Sequence, residues 1–183
     1  METDSSLPGL LRNALRHTAQ TVAVVTTGGP EARSAMSATA VVPVSMDPPS
    51  MLFCVNRGAS CFPLFLEGHG FCVNLLAAEH QQLAEQCSGG LKGEARFAAG
   101  EFATHPNGVP YLPSALASIF CVQDGRYLYG THAVVLGKVT EVRLTDKRGP
   151  LLYYDGGFRR LPIADTPPEG QDQGAVMGEE GDW

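Results

Sequence analysis

Short apolar runs, each ended by a turn signal after a few residues, limit most strongly how this chain can fold. The runs are rich in Val, Phe, Tyr and Cys, and they lie at 22–27, 35–45, 51–56, 70–75, 115–122, 127–144 and 150–154. β-Branched and aromatic residues bounded by Gly, Pro and Asp are typical of strands. We therefore predict a strand for each run, with an antiparallel meander through the first three because tight turns join them.

Helical patterns are few and short by comparison. Three stretches show helical apolar spacing, a helix start signal or a lack of β-branched residues, at 6–16, 60–67 and 78–86. Many short strands with few helices favour a closed or partly closed β-barrel over alternating βαβ units. The predicted class is mainly β, of the α+β type, with a few short helices.

The charge of the chain is unevenly distributed. The net charge is -6, and residues 165–183 hold six acids and no Lys or Arg, which accounts for the whole imbalance. A near-neutral body with an acidic tail argues against nucleic-acid binding, which needs a basic face. No stretch approaches 18 consecutive apolar residues, and no signal pattern opens the chain, so we expect no membrane association and a cytoplasmic location. We expect one domain over 1–163 and an acidic, disordered tail over 164–183.

The cysteines do not point to metal or disulfide chemistry. They form no CxxC pair and no Cys–His metal spacing, and they are Cys54, Cys61, Cys72, Cys87 and Cys121. Most have apolar neighbours, so we predict buried, reduced thiols. We see no metal-ligand set and no Ser–His–Asp arrangement, so we predict no metal site.

One predicted strand carries small residues where larger apolar ones would pack better. The stretch Met36-Ser37-Ala38-Thr39-Ala40 could pass beneath a helix, or it could leave room for a flat heteroaromatic ring to lie close to the backbone. Pro43 cannot donate to a β-ladder, so it predicts an edge strand or a bulge, where a ligand can reach main-chain groups.

A polar junction follows the next predicted strand. Neither GxGxxG nor GxxxxGK[ST] occurs in the chain, so a nucleotide phosphate would need other ligands. The stretch Asn56-Arg57-Gly58-Ala59-Ser60 offers a guanidinium, a hydroxyl that can cap the next helix, and free amides. The alternative interpretation of this stretch is a polar turn with a solvated arginine.

Seven stretches taken in order resemble the short-chain flavin reductase family, whose members have an FMN-binding split β-barrel. They are S-A-M-S-A-T-A, V-S-M-D-P-P-S, F-C-V-N-R-G-A-S, G-F-C-V-N-L-L, R-F, T-H-A-V-V-L-G-K-V and P-L-L-Y-Y-D-G-G-F, and the resemblance covers about residues 10–161. It is closest to the reductase components of two-component flavin-dependent monooxygenases. It implies that NADH or NADPH reduces FMN or FAD, that a partner oxygenase receives the reduced flavin, and that the protein is a homodimer.

The resemblance also implies a set of site residues. The residues that would border the flavin ring, ribityl chain and phosphate are Met36, Ser37, Ala38, Thr39, Ala40, Ser45, Cys54, Val55, Asn56, Arg57, Ser60, Asn74, Arg96 and Phe97. His132 would lie beside the flavin and the nicotinamide as the catalytic residue. The family usually has an acid where this chain has Thr131, and a hydroxyl favours a neutral, hydrogen-bonding His132 over a charged one.

Three other functions are compatible with the residues. A protein of the same fold could be a redox carrier that holds FMN tightly, or a reductase of a corrinoid or metal complex. A small β-barrel interaction module would bind no flavin. The residues alone do not separate these alternatives.

Overall fold

Seven strands form one antiparallel sheet in a computed structural model that describes residues 5–29 and 31–161. The helices are α1 Leu7–Leu15, α2 Phe62–Leu66 and α3 Gln81–Ser88, with 3₁₀ turns at Ala78–His80 and Gly93–Phe97. The strands are β1 Gln20–Thr21, β2 Ala23–Gly28, β3 Arg33–Ala38, β4 Val41–Met46, β5 Pro49–Asn56, β6 Phe71–Leu75, β7 Ala103–Thr104, β8 Pro110–Tyr111, β9 Ala117–Tyr129, β10 His132–Leu144, β11 Leu151–Tyr154 and β12 Gly157–Arg160. The acidic tail predicted for 164–183 lies outside the described residues.

The large sheet curls into a barrel because of how β3 connects to β4. The strand order is β3-β2-β6-β9-β10-β5-β4, so β3 and β4 lie at opposite edges although only two residues separate them. Six interstrand steps in a flat sheet would part these edges by about 29 Å, whereas the chain from Ala38 to Val41 spans at most about 11 Å. The bend at Thr39 and Ala40 therefore brings the two edges together, and β3 contacts β5 across the gap. The Cys54 N–H donates to the Ala40 carbonyl at 3.1 Å, which extends the β4–β5 ladder into this bend. The predicted mainly β, barrel-like fold is confirmed.

The predicted meander and the predicted single strand over 35–45 are wrong. The chain bends at Thr39 and Ala40, so this segment forms β3 and β4. β2 pairs with β3 and β4 pairs with β5, which places two hairpins at opposite sheet edges. The edge or bulge predicted at Pro43 is confirmed, because β4 is the last strand of the sheet and its register shifts between Pro43 and Ser45.

The predicted strand over 127–144 is also wrong, since it contains a turn. β9 and β10 pair as a long hairpin around Gly130, whose φ is 54°. Glycine adopts positive φ at low cost, which permits the reversal. Tyr129 and Thr131, which flank this glycine, are both strand formers, so the turn leaves little trace in the local pattern.

Two apolar layers lie on the two sides of β3. The barrel interior contains Phe53, which packs edge-to-face on Phe65 and Phe71 with ring centroids 4.9 and 5.0 Å apart. Outside the barrel, Leu83 and Ala84 of α3 pack over β2 and β3. Four cysteines are buried, Cys54 is half-buried, and none of the five is in a disulfide, as predicted.

Candidate functional site

A continuous groove follows β3 and the bend after it, and it consists of three adjoining cavities. The central cavity, of about 260 Å³, is bordered by 36–40, Cys54, Asn56, Arg96 and His132. The cationic cavity, of about 530 Å³, shares Asn56 and Arg96 with it and adds Ser60, Lys92 and the glycines 89 and 90. The aromatic cavity, of about 390 Å³, shares 37–39 and adds Tyr153 and Phe158. Ser88 borders all three, and each volume lies near the usual range for ligand sites.

The small residues of β3 serve both functions considered for them. Met36 and Ala38 face the barrel interior, whereas the Ser37 hydroxyl donates to the Ala84 carbonyl of α3 at 2.8 Å. Close packing beneath a helix therefore does explain part of the pattern. The same residues continue into Thr39 and Ala40 and form one side of the central cavity.

Arg96 is a buried cation beside the groove. Only 7% of it is exposed, and it borders both the central and the cationic cavity. Its Nη1 donates to the Ala35 carbonyl at 2.6 Å and its Nε to the Leu91 carbonyl at 2.8 Å. Within the described ranges, no carboxylate forms an ion pair with it. A buried charge without a counter-ion is costly, so this site favours an anionic ligand.

The thiols near Arg96 do not neutralise it. Burial raises the pKa of the Cys61 thiol, although the adjacent Arg96 guanidinium opposes the rise. Burial also raises the pKa of Cys87 to about 11. Both thiols stay protonated near neutral pH, and the positive charge of Arg96 remains available to a ligand.

His132 is held at the groove by the turn between β9 and β10. Its Nδ1 lies 2.9 Å from the Thr131 Oγ1, in the position where the family usually has an acid. The Arg57 N–H donates to the Thr131 carbonyl at 2.9 Å, and the Arg57 Nη1 donates to the Gly130 carbonyl at 3.2 Å. Arg57 therefore supports the turn, and it borders none of the three cavities, so its role as a phosphate ligand stays a prediction.

Three other predicted ligands lie in the core. The Asn74 side chain is fully buried, and its amide donates to Val24 and Thr26 while its oxygen accepts from Leu112 and Ser118. The Val55 side chain is inside the barrel, and Phe97 packs against Phe102 in the second apolar layer. These side chains are not available to a ligand, because the Asn74 amide is fully hydrogen-bonded and the other two side chains are packed in the core.

Two further predictions need correction. Ser45 pairs with Ser50 near the hairpin turn, and its hydroxyl bonds with Asp47. Ser50 and Asn56 are six residues apart along β5, which is about 20 Å. Ser45 therefore lies at the end of the strand pair that is far from the groove. Ser60 borders the cationic cavity but does not cap α2, since that helix begins after Cys61 and has no side-chain cap.

The sequence did not assign roles to several groove residues. Ser88 ends α3 and Lys92 follows the glycines 89 and 90, in a stretch that matches neither phosphate-binding glycine motif. Tyr153 and Phe158 lie in the last motif of the resemblance, and their contribution to the aromatic cavity depends on the pairing of β11 with β12. Their aromatic character and the Tyr-Tyr-Asp-Gly-Gly-Phe spacing were the available signals.

The described residues offer neither a metal-binding cluster nor a membrane-spanning helix. Ranges 5–29 and 31–161 contain no group of three or more His, Cys, Asp or Glu side chains placed to hold a metal ion. No helix in these ranges has the length and apolarity that membrane crossing requires.

Comparisons with known proteins agree with this geometry. Residues 15–162 match the family model described as the flavin reductase like domain. A Klebsiella pneumoniae protein named FMN reductase (NADH) RutF is 38% identical over 151 residues, which cover 82% of this chain and 92% of the relative. The reductase component of an FADH(2)-dependent resorcinol hydroxylase from a Rhizobium species is 39% identical over 149 residues, 80% and 83% of the two chains.

A solved structure has the same fold. BorF, the flavin reductase component of a bacterial two-component tryptophan halogenase, superimposes with a TM-score of 0.77 at 31% identity. The match covers 85% of this chain and 98% of BorF. With its matching sequence, curled sheet and β3 groove, the chain belongs to the flavin reductase-like domain family.

Proposed function

We propose that this protein is a flavin reductase that uses NADH to reduce FMN or FAD and supplies the reduced flavin to a partner oxygenase. Its relatives support the activity, since one is named an NADH-dependent FMN reductase. Two others are named as reductase components, one of a hydroxylase and one of a halogenase. The observation in the structure that carries the proposal is Arg96, a buried cation without a carboxylate partner at the junction of two cavities.

The groove has the groups that a flavin requires. A phosphate needs positive charge and N–H or O–H donors, and Arg96, Lys92, Ser60 and Ser88 border the cationic cavity. The tricyclic ring is flat and needs a wall without bulky side chains, which residues 37–40 provide in the central cavity. The residues present therefore fit a flavin with its phosphate toward Arg96.

The chain's own residues bind and orient rather than exchange protons. When bound, a flavin accepts hydride from a reduced nicotinamide, and this chemistry belongs to the cofactor. His132, oriented by Thr131, offers Nε2 for a hydrogen bond at the central cavity. Tyr153 and Phe158 pack at 5.5 Å and give the adjoining cavity aromatic walls that exclude water from a stacked ring.

Our proposal includes a homodimer. Apolar side chains are exposed on β4, at Val42, Val44 and Met46, and near the β9–β10 turn, at Tyr127, Leu128 and Tyr129. β6 covers β9 only from 117 to 121, so in the described fold the later part of β9 has strand pairing on one side alone. Open edges and apolar patches are commonly covered by a second chain.

A cytoplasmic location is also part of the proposal. All five cysteines are free, and four of them are buried. A reducing compartment keeps such thiols from pairing or oxidising.

Anaerobic stopped-flow absorbance tests the activity. NADH mixed with excess free FMN or FAD and a catalytic amount of protein should bleach the absorbance of oxidised flavin over many turnovers. A matrix of both flavins against NADH and NADPH identifies the preferred pair. A protein that retains its flavin and reduces no free flavin would be a carrier, and that result overturns the proposal.

A further inference from the structure

A fourth cavity extends the groove toward the N-terminal helix. It has a volume of about 250 Å³ and lies between the end of α1 and the β11–β12 turn. We call it the arginine cavity, and its principal lining residues are Arg12, Arg16, Tyr153, Tyr154, Asp155 and Gly156. It shares Thr39, Tyr153 and Gly156 with the aromatic cavity, so a ligand can extend from one into the other.

The two arginines of this cavity are available to a ligand. Arg12 and Arg16 are one helical turn apart, and neither guanidinium forms an ion pair or a side-chain hydrogen bond with another described residue. Asp155 borders the same cavity but forms no ion pair with either arginine. The lining therefore keeps an excess of positive charge.

The local backbone holds Arg16 at the junction with the aromatic cavity. The Asp155 N–H donates to the Arg16 carbonyl at 3.1 Å, which ties the end of α1 to the β11–β12 turn. A Cβ built on Gly156 would lie 3.8 Å from the Arg16 Cζ, so the guanidinium packs over this glycine. A cation at a helix C-terminus is favourable by itself. That effect explains neither the aromatic walls nor the continuity with the groove.

We infer that the arginine cavity binds the diphosphate of the pyridine nucleotide, and that Arg12 and Arg16 bind its phosphate oxygens. This inference rests on the proposed function, because it needs a nicotinamide in the adjoining aromatic cavity. Arginine binds phosphate oxygens through paired N–H groups, and tyrosines give a ribose or adenine a flat apolar surface. The arginine cavity shares no lining residue with the cationic cavity, so the flavin phosphate has a separate anion site beside Arg96.

FAD carries the same adenosine diphosphate chemistry as NADH, so the test must separate the two sources. Calorimetric titrations of NAD⁺, ADP-ribose, FMN and FAD would be compared for wild type, R12Q, R16Q, R12Q/R16Q and R148Q. Arg148 is an exposed arginine that forms no side-chain hydrogen bond or ion pair with another described residue and lines none of the four cavities, so R148Q is the matched control for lost charge. Circular dichroism and FMN affinity report whether each variant is folded.

We expect R12Q and R16Q each to weaken NAD⁺ and ADP-ribose binding by about tenfold, as for loss of a charge-assisted hydrogen bond. The double variant should lose more, with a weaker dependence on salt, while FMN binding stays within about twofold of wild type. Equal nucleotide affinities in R12Q/R16Q and R148Q would overturn the inference. A loss of FAD affinity with unchanged ADP-ribose affinity would also overturn it, since the cavity would then belong to the flavin.

The flavin-reduction assay of the wild type separates this inference from the proposed function. If wild type reduces flavin and R12Q/R16Q binds nucleotides as the control does, the inference alone fails. If wild type neither binds NAD⁺ nor reduces flavin, the proposed function fails, and the inference fails with it.

Discussion

At the scale of single residues, roles in and near the groove depend on which hydrogen-bonding groups the fold already satisfies. Asn74 donates and accepts entirely within the core, so it stabilises the junction of β2, β6 and β9. Arg96 uses two of its five N–H groups on backbone carbonyls, and the others have no oxygen acceptor in the described part of the chain. Burial of both residues is similar, yet only Arg96 has donors left for a ligand.

Replacing Thr131 should change how firmly His132 is held. Thr131→Val keeps the shape but removes the hydroxyl beside the His132 Nδ1. We expect flavin binding to weaken by about fivefold, the effect of one hydrogen bond worth roughly 1 kcal/mol. Fluorescence titration with FMN measures this, and Thr131→Ser, which keeps the hydroxyl, should remain near wild type. Equal affinity in the valine variant would show that the contact does not orient His132 for the ligand.

Replacing Arg96 should affect phosphate-bearing flavin selectively. Arg96→Met removes the cation from the junction of the central and cationic cavities. FMN affinity should fall by at least about tenfold, whereas riboflavin, which lacks the phosphate, should change little. Arg96→Lys, which keeps a charge, controls for the loss of the bonds to Ala35 and Leu91, and thermal unfolding reports the cost to the fold. An equal loss for both flavins would contradict a phosphate-binding role.

At the scale of elements, the bent hairpin of β9 and β10 connects the barrel core to the groove. The register shifts between Leu136 and Gly137, where β10 passes over the β6 strand's Phe71. A side chain at this position would collide with the Phe71 ring and with the Cys121 Cβ. The lack of a side chain at Gly137 therefore lets the core aromatic ring pack beneath the strand.

Gly137→Ala should destabilise the protein by overpacking this element. The added Cβ would lie 2.4 Å from Phe71 Cζ and 2.8 Å from Cys121 Cβ. We expect a loss of about 1–3 kcal/mol in the free energy of unfolding, measured by urea denaturation. Gly29→Ala is the matched control, because no described residue other than its chain neighbours lies within 4 Å of a Cβ there. Equal denaturation midpoints in the two variants would refute the packing account.

The turn at Ala78–His80 should make stability depend on pH. Burial lowers the pKa of His80 from its ordinary 6.5, although Glu79 opposes the shift, and the His80 Nδ1 accepts a hydrogen bond from the Ala77 N–H at 3.1 Å. The unfolded state then binds more protons, so stability is lost as the pH falls below 6.5. His80→Ala should flatten the slope of unfolding free energy between about pH 7.5 and about pH 5.5. The exposed His69, changed to Ala, should leave that slope in place, and a wild-type slope in the His80 variant would contradict the prediction.

At the scale of the whole molecule, exposed apolar side chains point to an assembly larger than one chain. Four leucines of α1 are between 52% and 81% exposed, and β4 and the β9–β10 turn add further apolar groups. Patches of this kind on a small protein commonly mark a protein interface. A two-fold arrangement would use the same patch on both chains.

The solution mass tests the proposed dimer. With 19.4 kDa per chain, light scattering coupled to gel filtration should give twice that mass, about 39 kDa. The value should persist on dilution through the micromolar range if the interface is stable. A mass equal to one chain would contradict the homodimer and leave the apolar surface to another partner.

Local patterns determined much of the fold. Alternating apolar runs and turn residues located most strands of the large sheet, and Pro43 located its edge, because these signals depend on neighbours in the chain. Motif order also indicated the family, and it directed attention to 36–40, Arg96 and His132. Gly130 gives no clear local turn signal, since strand-forming residues flank it on both sides.

The tertiary structure alone decided which of these residues meet. Thr39, Asn56, Ser88 and His132 come together because the sheet curls and the short bend after β3 brings its two edges together. No local period encodes that contact. The different roles of Arg57 and Arg96 likewise depend on partners far away in the chain, Gly130 for one and Ala35 for the other. The sequence by itself determined most of the strands, the small-residue wall and the family. Sheet order and hydrogen-bond satisfaction, which depend on contacts between distant residues, decided what forms the groove.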